Sequence, residues 1–115
     1  MNHSNYNSFD LRNGEFDLLV WSIPNEVING FEVNNFEEVI GTSKDQVKAI
    51  ANGLRSRPKS GSISIDRDQA LILRNALAVV LQELGVQEFQ TRTGFGFQDG
   101  EKILNRLNDF IQDPN

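Results

Sequence analysis

The chain contains no cysteine, and its single histidine is His3, in a polar N-terminal stretch. Without cysteine there is no disulfide framework, and without a second histidine the usual zinc ligands are missing. One histidine in a terminal stretch cannot build a rigid Ser-His-Asp or Cys-His arrangement. Carboxylates are plentiful, but the pairs Glu37/Glu38 and Asp66/Asp68 are typical of helix starts. We therefore predict no metal or other cofactor and no enzymatic activity.

Long hydrophobic runs are also missing, since no window approaches the roughly 20 apolar residues that a membrane helix needs. Residues 1–16 lack the basic and apolar regions of a secretory signal. We expect a cytoplasmic protein without a membrane segment. The 115 residues, 38% of them hydrophobic and 23% charged, fit one folded domain. We predict a flexible tail over residues 1–14 and a single domain over residues 15–115.

Charge is unevenly distributed along a chain whose formal net charge is −5. Residues 44–59 carry five basic residues and one acid, a net +4, whereas the rest of the chain carries six basic and fifteen acidic residues, a net −9. An acidic body repels phosphate backbones in general, although a local basic patch can still bind them. The simpler interpretation of the basic strip is a solvated helix face that runs into an exposed loop.

Two segments have the pattern of β-strands. The run FDLLVWSI, over residues 16–23, consists mostly of aromatic and aliphatic residues and ends at Pro24, which cannot continue a ladder. The segment SISI, over residues 62–65, alternates polar and apolar residues. We predict that these two strands pair into a small antiparallel sheet.

Two helices are predicted between these strands. A short one begins near Asn34 or Asn35 and stops at Gly41. A longer one begins at Ser43, which forms a capping box with Gln46, so that each side chain satisfies a free backbone N–H of the other residue. An apolar stripe with helical spacing follows, formed by Val47, Ile50, Ala51 and Leu54.

After the second strand, Asp66 and Gln69 mark the start of a central helix over residues 67–84, which ends at Gly85. Apolar residues cover most of its circumference, as is typical of a helix packed from more than one side. A C-terminal amphipathic helix is expected to dock on it through Ile103, Leu104, Leu107, Phe110 and Ile111. The predicted fold class is α+β: a small two-stranded antiparallel sheet, with several helices packed around the central buried helix.

A shift of 53 residues aligns residues 33–54 with residues 86–107 without a gap. Six aligned positions are identical: Val33/Val86, Phe36/Phe89, Gly41/Gly94, Ile50/Ile103, Asn52/Asn105 and Leu54/Leu107. The shared frame is an anchor aromatic, a glycine turn and an amphipathic helix. It predicts structural roles for the aromatic and glycine pairs, and similar packing of both segments around the central helix.

The glycine-rich stretch TGFGFQDG, over residues 93–100, precedes the last helix. Its spacing matches neither common phosphate-binding fingerprint, and Asp99 and Glu101 would repel phosphate. We interpret it as a turn that points Phe95 and Phe97 in different directions. Core packing of the two rings is the simpler prediction. A ring left exposed among polar groups would instead be a contact for a protein partner.

The segment EEVIGTSKDQVKAIANGLRSRP, over residues 37–58, resembles the second and third helices of Xre/Cro-type repressor domains. There a glycine turn separates a helix from a serine-capped recognition helix, whose first residues contact bases in the major groove. The resemblance implies DNA contacts by Thr42, Ser43, Lys44, Gln46 and Lys48. The chain departs from that family in its strand-like upstream segment, in its following strand and long helix, and in its net charge.

A second stretch, LRNALAVVLQELGVQEFQTRTGFGFQDGEKILNRL, resembles small, largely uncharacterised bacterial proteins with an N-A-L-x-x-V-L helix, then E-F-x-T-R-x-G, then an L-x-x-L helix. The pattern is carried by Asn75, Ala76, Leu77, Val80, Leu81, Glu88, Phe89, Thr91, Arg92, Gly94, Leu104 and Leu107. This resemblance implies no activity. We predict that Arg92 is a structural latch that bonds Glu88 or helix carbonyls.

These patterns together favour a non-catalytic interaction or regulatory protein with a protein partner. One version is an acidic inhibitor of a basic enzyme, as toxin-neutralising immunity proteins are, in which Glu32, Glu37 and Glu38 would steer association. The alternative is a sequence-specific DNA-binding regulator that uses the helix over residues 44–54. An enzyme is the third hypothesis.

Overall fold

The computed structural model describes residues 6–57 and 61–112. The described elements are strand β1 (Asn7–Asp10), helical segment α1 (17–30), helices α2 (Phe36–Ile40) and α3 (Lys44–Arg55), strand β2 (Ser62–Ile65), and helices α4 (Arg67–Thr93) and α5 (Phe97–Gln112). β1 and β2 form a two-stranded antiparallel sheet, and α4 packs against α1, α2 and α5. The predicted α+β class is therefore confirmed.

The N-terminal strand was not predicted. β1 pairs with β2 so that Phe9 lies opposite Ile63, and both side chains are buried. Leu11, two residues further on, is also buried, as the two-residue period of an extended chain requires. The prediction of a flexible tail over residues 1–14 is therefore wrong from residue 7 onward, and residues 1–5 lie outside the described part. The alternation of apolar Phe9 and Leu11 with polar residues is short and lies among asparagine, serine and glycine, so the sequence pattern did not indicate a strand.

Polar and aromatic contacts hold the N-terminal segment against α5. Arg106 Nη2 lies 2.5 Å from Glu15 Oε1, and the backbone N–H of Arg12 donates to the same oxygen at 2.8 Å. The rings of Phe9 and Phe110 meet edge to face with centroids 5.6 Å apart. Glu15 is 8% exposed, so its carboxylate depends on these donors rather than on water.

The segment over residues 16–23 is helical, so the predicted strand there and its pairing with β2 are wrong. α1 consists of π-helical turns at Asp17–Ser22 and Glu26–Gly30, on either side of an α-helical turn at Ile23–Asn25. Its fully buried side chains are Leu18, Leu19, Val20, Ile23 and Val27. A short unbroken apolar run fits a buried helix as well as a strand, and periodicity alone cannot separate the two.

Pro24 lies inside α1, and a side chain from α3 donates to a carbonyl of the turn before it. Proline has no N–H to donate to that turn, which contains the carbonyl of Val20. Arg55 Nε donates to this oxygen at 3.2 Å. The same guanidinium stacks over the ring of Trp21, 4.0 Å from its centroid. A tertiary contact thus compensates the proline and fixes the position of Arg55.

The predicted helices α2 and α3 are present. α2 ends at Gly41 (φ 101°), and its last carbonyl, that of Ile40, accepts a hydrogen bond from Asn75 Nδ2 on α4 at 2.9 Å. Ser43 Oγ caps α3 by accepting from Gln46 N at 3.1 Å, which is one of the two bonds of the predicted capping box. Both bonds of such a box form at the start of α4, between Asp66 and Gln69.

α4 bends at Gly85, whose φ of 74° and ψ of −177° are not helical. The predicted end of the central helix is therefore a real break, but the helical turns that follow it, up to Thr93, were not predicted. Phe89 in this second part is fully buried. α5 packs along α4 through Ile103 and Leu107, as predicted.

By length and composition alone, α4 is long and apolar enough to cross a membrane. The prediction that no window reaches this length is therefore wrong. The core helix of a folded domain passes the same test, and Leu73, Leu77 and Val80 of α4 lie in the core cluster. One such helix is weak evidence for a membrane span.

The two halves of the predicted repeat have matching local geometry. Gly41 and Gly94 both have positive φ, and their N–H groups bond to the carbonyls of Glu37 and Gln90, which are again 53 residues apart. α3 and α5 begin at aligned positions, and both carry buried residues at the paired sites Ile50/Ile103 and Leu54/Leu107. The shared frame thus corresponds to helix, left-handed glycine and amphipathic helix.

Candidate interaction surfaces

The first concave surface, here called the kink groove, lies where α4 bends and α5 begins. It is an open depression of about 510 Å³ lined by Val86, Gly96, Phe97, Gln98, Asp99 and Glu101. Val86 follows the break at Gly85 directly. Its side chain is 62% exposed, more than any other large hydrophobic residue in the described part of the chain.

α5 packs closely on α4 beside the kink groove, at the residue between Asp99 and Glu101 of its lining. Gly100 is buried, and a Cβ at this position would lie 2.9 Å from both Leu81 Cδ2 and Phe89 Cζ. Only glycine therefore lets the two helices approach this closely. Phe97, three residues earlier, is half-buried and meets Phe89 edge to face with centroids 6.0 Å apart.

The rings of Phe95 and Phe97 point to different neighbours, as predicted, but neither is exposed. Phe95 packs beside Gly14, where a Cβ would lie 3.0 Å from its Cζ atom. Its backbone N–H donates to Thr93 Oγ1 at 3.0 Å, which fixes the turn between α4 and α5. Both rings pack against the core, so Phe97 contributes to the kink groove only as a half-buried wall.

The kink groove is apolar at its centre and acidic at its edge. Asp99 and Glu101 are its only charged lining residues among those the structure describes, and both are exposed. Neither takes part in any of the salt bridges within the described ranges 6–57 and 61–112. An apolar centre with a polar rim is the arrangement found in protein–protein interfaces.

The three acids predicted to steer a partner, Glu32, Glu37 and Glu38, are all exposed. No described cation forms a salt bridge with them, which leaves their charges unneutralised. They lie on α2 and just before it, and none of them lines the kink groove. The structure therefore does not combine them with Phe97 in one concave site.

The predicted latch at Arg92 has two partners. Its Nε lies 3.2 Å from Glu88 Oε2, as predicted, and its Nη1 lies 2.8 Å from Glu26 Oε1 on α1. Gly30 lies beside this pair, since a Cβ there would come within 2.0 Å of the Glu26 oxygen. The contact joins α1 to the second part of α4. Because Arg92 is partly exposed, the salt bridges are worth at most about 1 kcal/mol each.

The residues implied for DNA contact divide into two groups. Lys44, Gln46 and Lys48 are exposed at the start of α3, whereas Thr42 and Ser43 are half-buried. Lys44 Nζ lies 5.6 Å above the ring of Phe36. The strand-like upstream segment was one of the predicted differences from the repressor family. That segment is the helix α1, so this difference is absent.

The second concave surface, the α1–α3 groove, has a volume of about 190 Å³. It is lined by Pro24, Asn25, Ile28 and Asn29 from α1 and by Lys48, Ala51, Asn52 and Arg55 from α3. Asn29 Nδ2 donates to Asn25 Oδ1 at 3.0 Å, and Arg55 Nη1 donates to Asn52 Oδ1 at 3.2 Å. The groove contains two cations and no acid among its described lining residues.

Sequence reasoning missed most of both surfaces. The asparagines Asn25 and Asn29 have helical i, i+4 spacing, but the interpretation of the preceding residues as a strand concealed it. Val86 directly follows a helix-ending glycine, and this position alone is only a weak indication of an exposed binding residue. In the described part of the chain, no group of three or more His, Cys, Asp or Glu residues could hold a metal ion.

Comparison with family models, with curated proteins and with solved structures finds no match. Both resemblances seen in the sequence therefore remain predictions, and the functional argument depends on the geometry of the two grooves.

Proposed function

We propose that this protein is a non-catalytic interaction protein that binds a basic protein partner at the kink groove. Val86 is the observation that supports this most directly. It is an apolar side chain, 62% exposed, that lines the kink groove together with Phe97. Exposed apolar surface with a polar rim marks an interaction site when it is contiguous, and here the half-buried ring of Phe97 lines the same groove as Val86.

The sign of the partner's charge follows from the rim. Asp99 and Glu101 border the groove, and the whole chain has a formal net charge of −5. A partner segment with an apolar side chain flanked by lysine or arginine would therefore fit both the groove and its edge. The exposed acids Glu37 and Glu38 would add to long-range attraction without contacting that segment. An inhibitor of a basic enzyme is one protein of this kind.

A photo-crosslinking amino acid at Val86 tests the proposal in the full chain. The matched control carries the same amino acid at Leu71, another exposed large hydrophobic residue of α4, which precedes the bend. In extracts of the native host, we expect position 86 to crosslink one protein through a segment that contains basic residues, and position 71 not to crosslink it. Peptide mapping by mass spectrometry identifies the crosslinked segment.

Affinity measurements with the captured protein supply the second test. Val86→Asp places a charge in the apolar centre and should weaken binding about thirtyfold, as expected for a hot spot worth about 2 kcal/mol. The rim change Asp99→Asn should mainly lower the association rate. Equally strong crosslinking at positions 86 and 71, or an affinity that Val86→Asp leaves unchanged, would refute the proposal.

DNA binding is the second candidate, favoured by the finding that a helix precedes α2 and α3. If it is correct, Lys44 and Lys48 contact duplex DNA, and retention on a duplex column falls steeply with salt. Changing both lysines to glutamate would then abolish retention, whereas Val86→Asp would not affect it. If the protein instead binds a partner at the kink groove, Val86→Asp weakens binding to that partner and the two lysine changes do not.

A further inference from the structure

We propose that the α1–α3 groove is a binding site for a small oxyanion, either a phosphate group or a carboxylate. The site is separate from the kink groove and does not depend on its function. Its described lining includes the cations Lys48 and Arg55 and no acid. At about 190 Å³ it lies below the roughly 300–1,000 Å³ of pockets for drug-sized ligands, so it suits one charged group.

The hydrogen bonds inside the groove leave two side-chain amide groups without an acceptor. Asn25 Oδ1 accepts from Asn29 Nδ2, and Asn52 Oδ1 accepts from Arg55 Nη1. Each of these two carbonyl oxygens thus already accepts one hydrogen bond, whereas the amide nitrogens of Asn25 and Asn52 have no acceptor among the described residues. Lys48 likewise forms no salt bridge within residues 6–57 and 61–112. The groove therefore offers amide N–H donors together with an ammonium group, which is the complement of an oxyanion.

Arg55 adds a cation whose position is already fixed. Its Nε donates to the carbonyl of Val20, and its guanidinium plane stacks on Trp21. Guanidinium carries five N–H donors, so these bonds leave others for a ligand. Because the side chain is ordered before binding, little conformational entropy is lost when an anion arrives. The proline in α1 thus indirectly positions a recognition group of the groove.

Trp21 makes the test simple, because it is the only tryptophan of the chain and lies against Arg55. The purified full chain is titrated separately with sodium phosphate and sodium acetate, and sodium chloride of equal ionic strength is the reference. We expect a saturable change in Trp21 emission with at least one oxyanion and none with chloride. Phosphate-only binding identifies a phosphate ligand, and acetate-only binding identifies a carboxylate.

Lys48→Gln and Lys44→Gln form a matched pair of variants. Both remove one positive charge from an exposed position of α3, but only Lys48 lines the groove. Lys48→Gln should weaken binding about tenfold, as the loss of a charged hydrogen bond predicts, and Lys44→Gln less than about twofold. Arg55 is unsuitable for substitution because its bond to Val20 supports the fold. Val86→Asp should leave anion binding unchanged.

Side-chain amide resonances of Asn25 and Asn52 provide a second readout in the same titrations. The proposal is refuted if neither these resonances nor Trp21 emission responds to oxyanions beyond the chloride reference. It is also refuted if both lysine variants weaken binding equally, because that would indicate diffuse attraction to the basic strip.

Discussion

Replacing Gly100 by alanine tests the close contact between α4 and α5 beside the kink groove. The substitution adds one methyl group, which would lie 2.9 Å from Leu81 Cδ2 and 2.9 Å from Phe89 Cζ. Both contacted side chains are buried, Phe89 completely, so neither can move without displacing other core atoms. We therefore expect Gly100→Ala to destabilise the protein.

Two opposing effects set the size of this change. Alanine in place of glycine inside a helix stabilises by about 0.8–1.0 kcal/mol. Forcing an extra methyl group into a packed core costs about 1–3 kcal/mol. The net effect is a loss of roughly 0–2 kcal/mol, which for a domain of this size lowers the melting temperature by up to about 10 °C.

Gly53→Ala is the matched control, because it makes the same change within α3. A Cβ there meets only Arg57 Nη2, at 3.8 Å, which is an ordinary van der Waals distance. This variant should be stabilised by about 1 kcal/mol through helix propensity alone. Urea unfolding followed by circular dichroism measures both free energies of unfolding. If Gly100→Ala is as stable as Gly53→Ala, the packing argument for α4 and α5 is wrong.

Three further variants test other contacts. Glu15→Ala leaves the guanidinium of Arg106 without its carboxylate and should cost about 2–3 kcal/mol in urea unfolding, somewhat below the range for fully buried pairs because Arg106 keeps some solvent contact. Unchanged stability would show that the ion pair does not hold the N-terminal strand. Asn75→Ala removes the hydrogen bond to the carbonyl of Ile40 and should cost about 1 kcal/mol. An effect below the error of the unfolding measurement would exclude a stabilising role for that bond. Val86→Asp should change the free energy of unfolding by less than about 0.5 kcal/mol, because Val86 is exposed; a larger loss would mean that Val86 serves the fold.

Both proposed sites depend on interactions that also stabilise the fold. The kink groove exists because Gly85 interrupts α4 and Gly100 lets α5 approach it. The α1–α3 groove is bordered by Arg55, which is held by the carbonyl of Val20 in the turn before Pro24. Substitutions at these positions would alter folding and binding together. The variants chosen to test function, at Val86, Lys48 and Lys44, are therefore exposed residues outside those contacts.

The sequence by itself determined the features that depend on neighbours three or four residues away. The caps at Ser43 and Asp66, the apolar stripe of α3, the break at Gly85 and the docking face of α5 all follow from local spacing. The same is true of the Arg92–Glu88 pair, which spans one helical turn. Such features form wherever the local pattern is present, because their partners are already close along the chain.

Only the tertiary structure decided whether the apolar run before Pro24 is strand or helix. Its residues can be buried in either form, and Arg55, 35 positions from Val20, satisfies the carbonyl that makes the helical form acceptable. Because that run is helical, β2 pairs instead with β1, the strand that contains Phe9. The two grooves have the same origin, since each joins side chains from elements that only packing brings together, and no local spacing encodes such a contact.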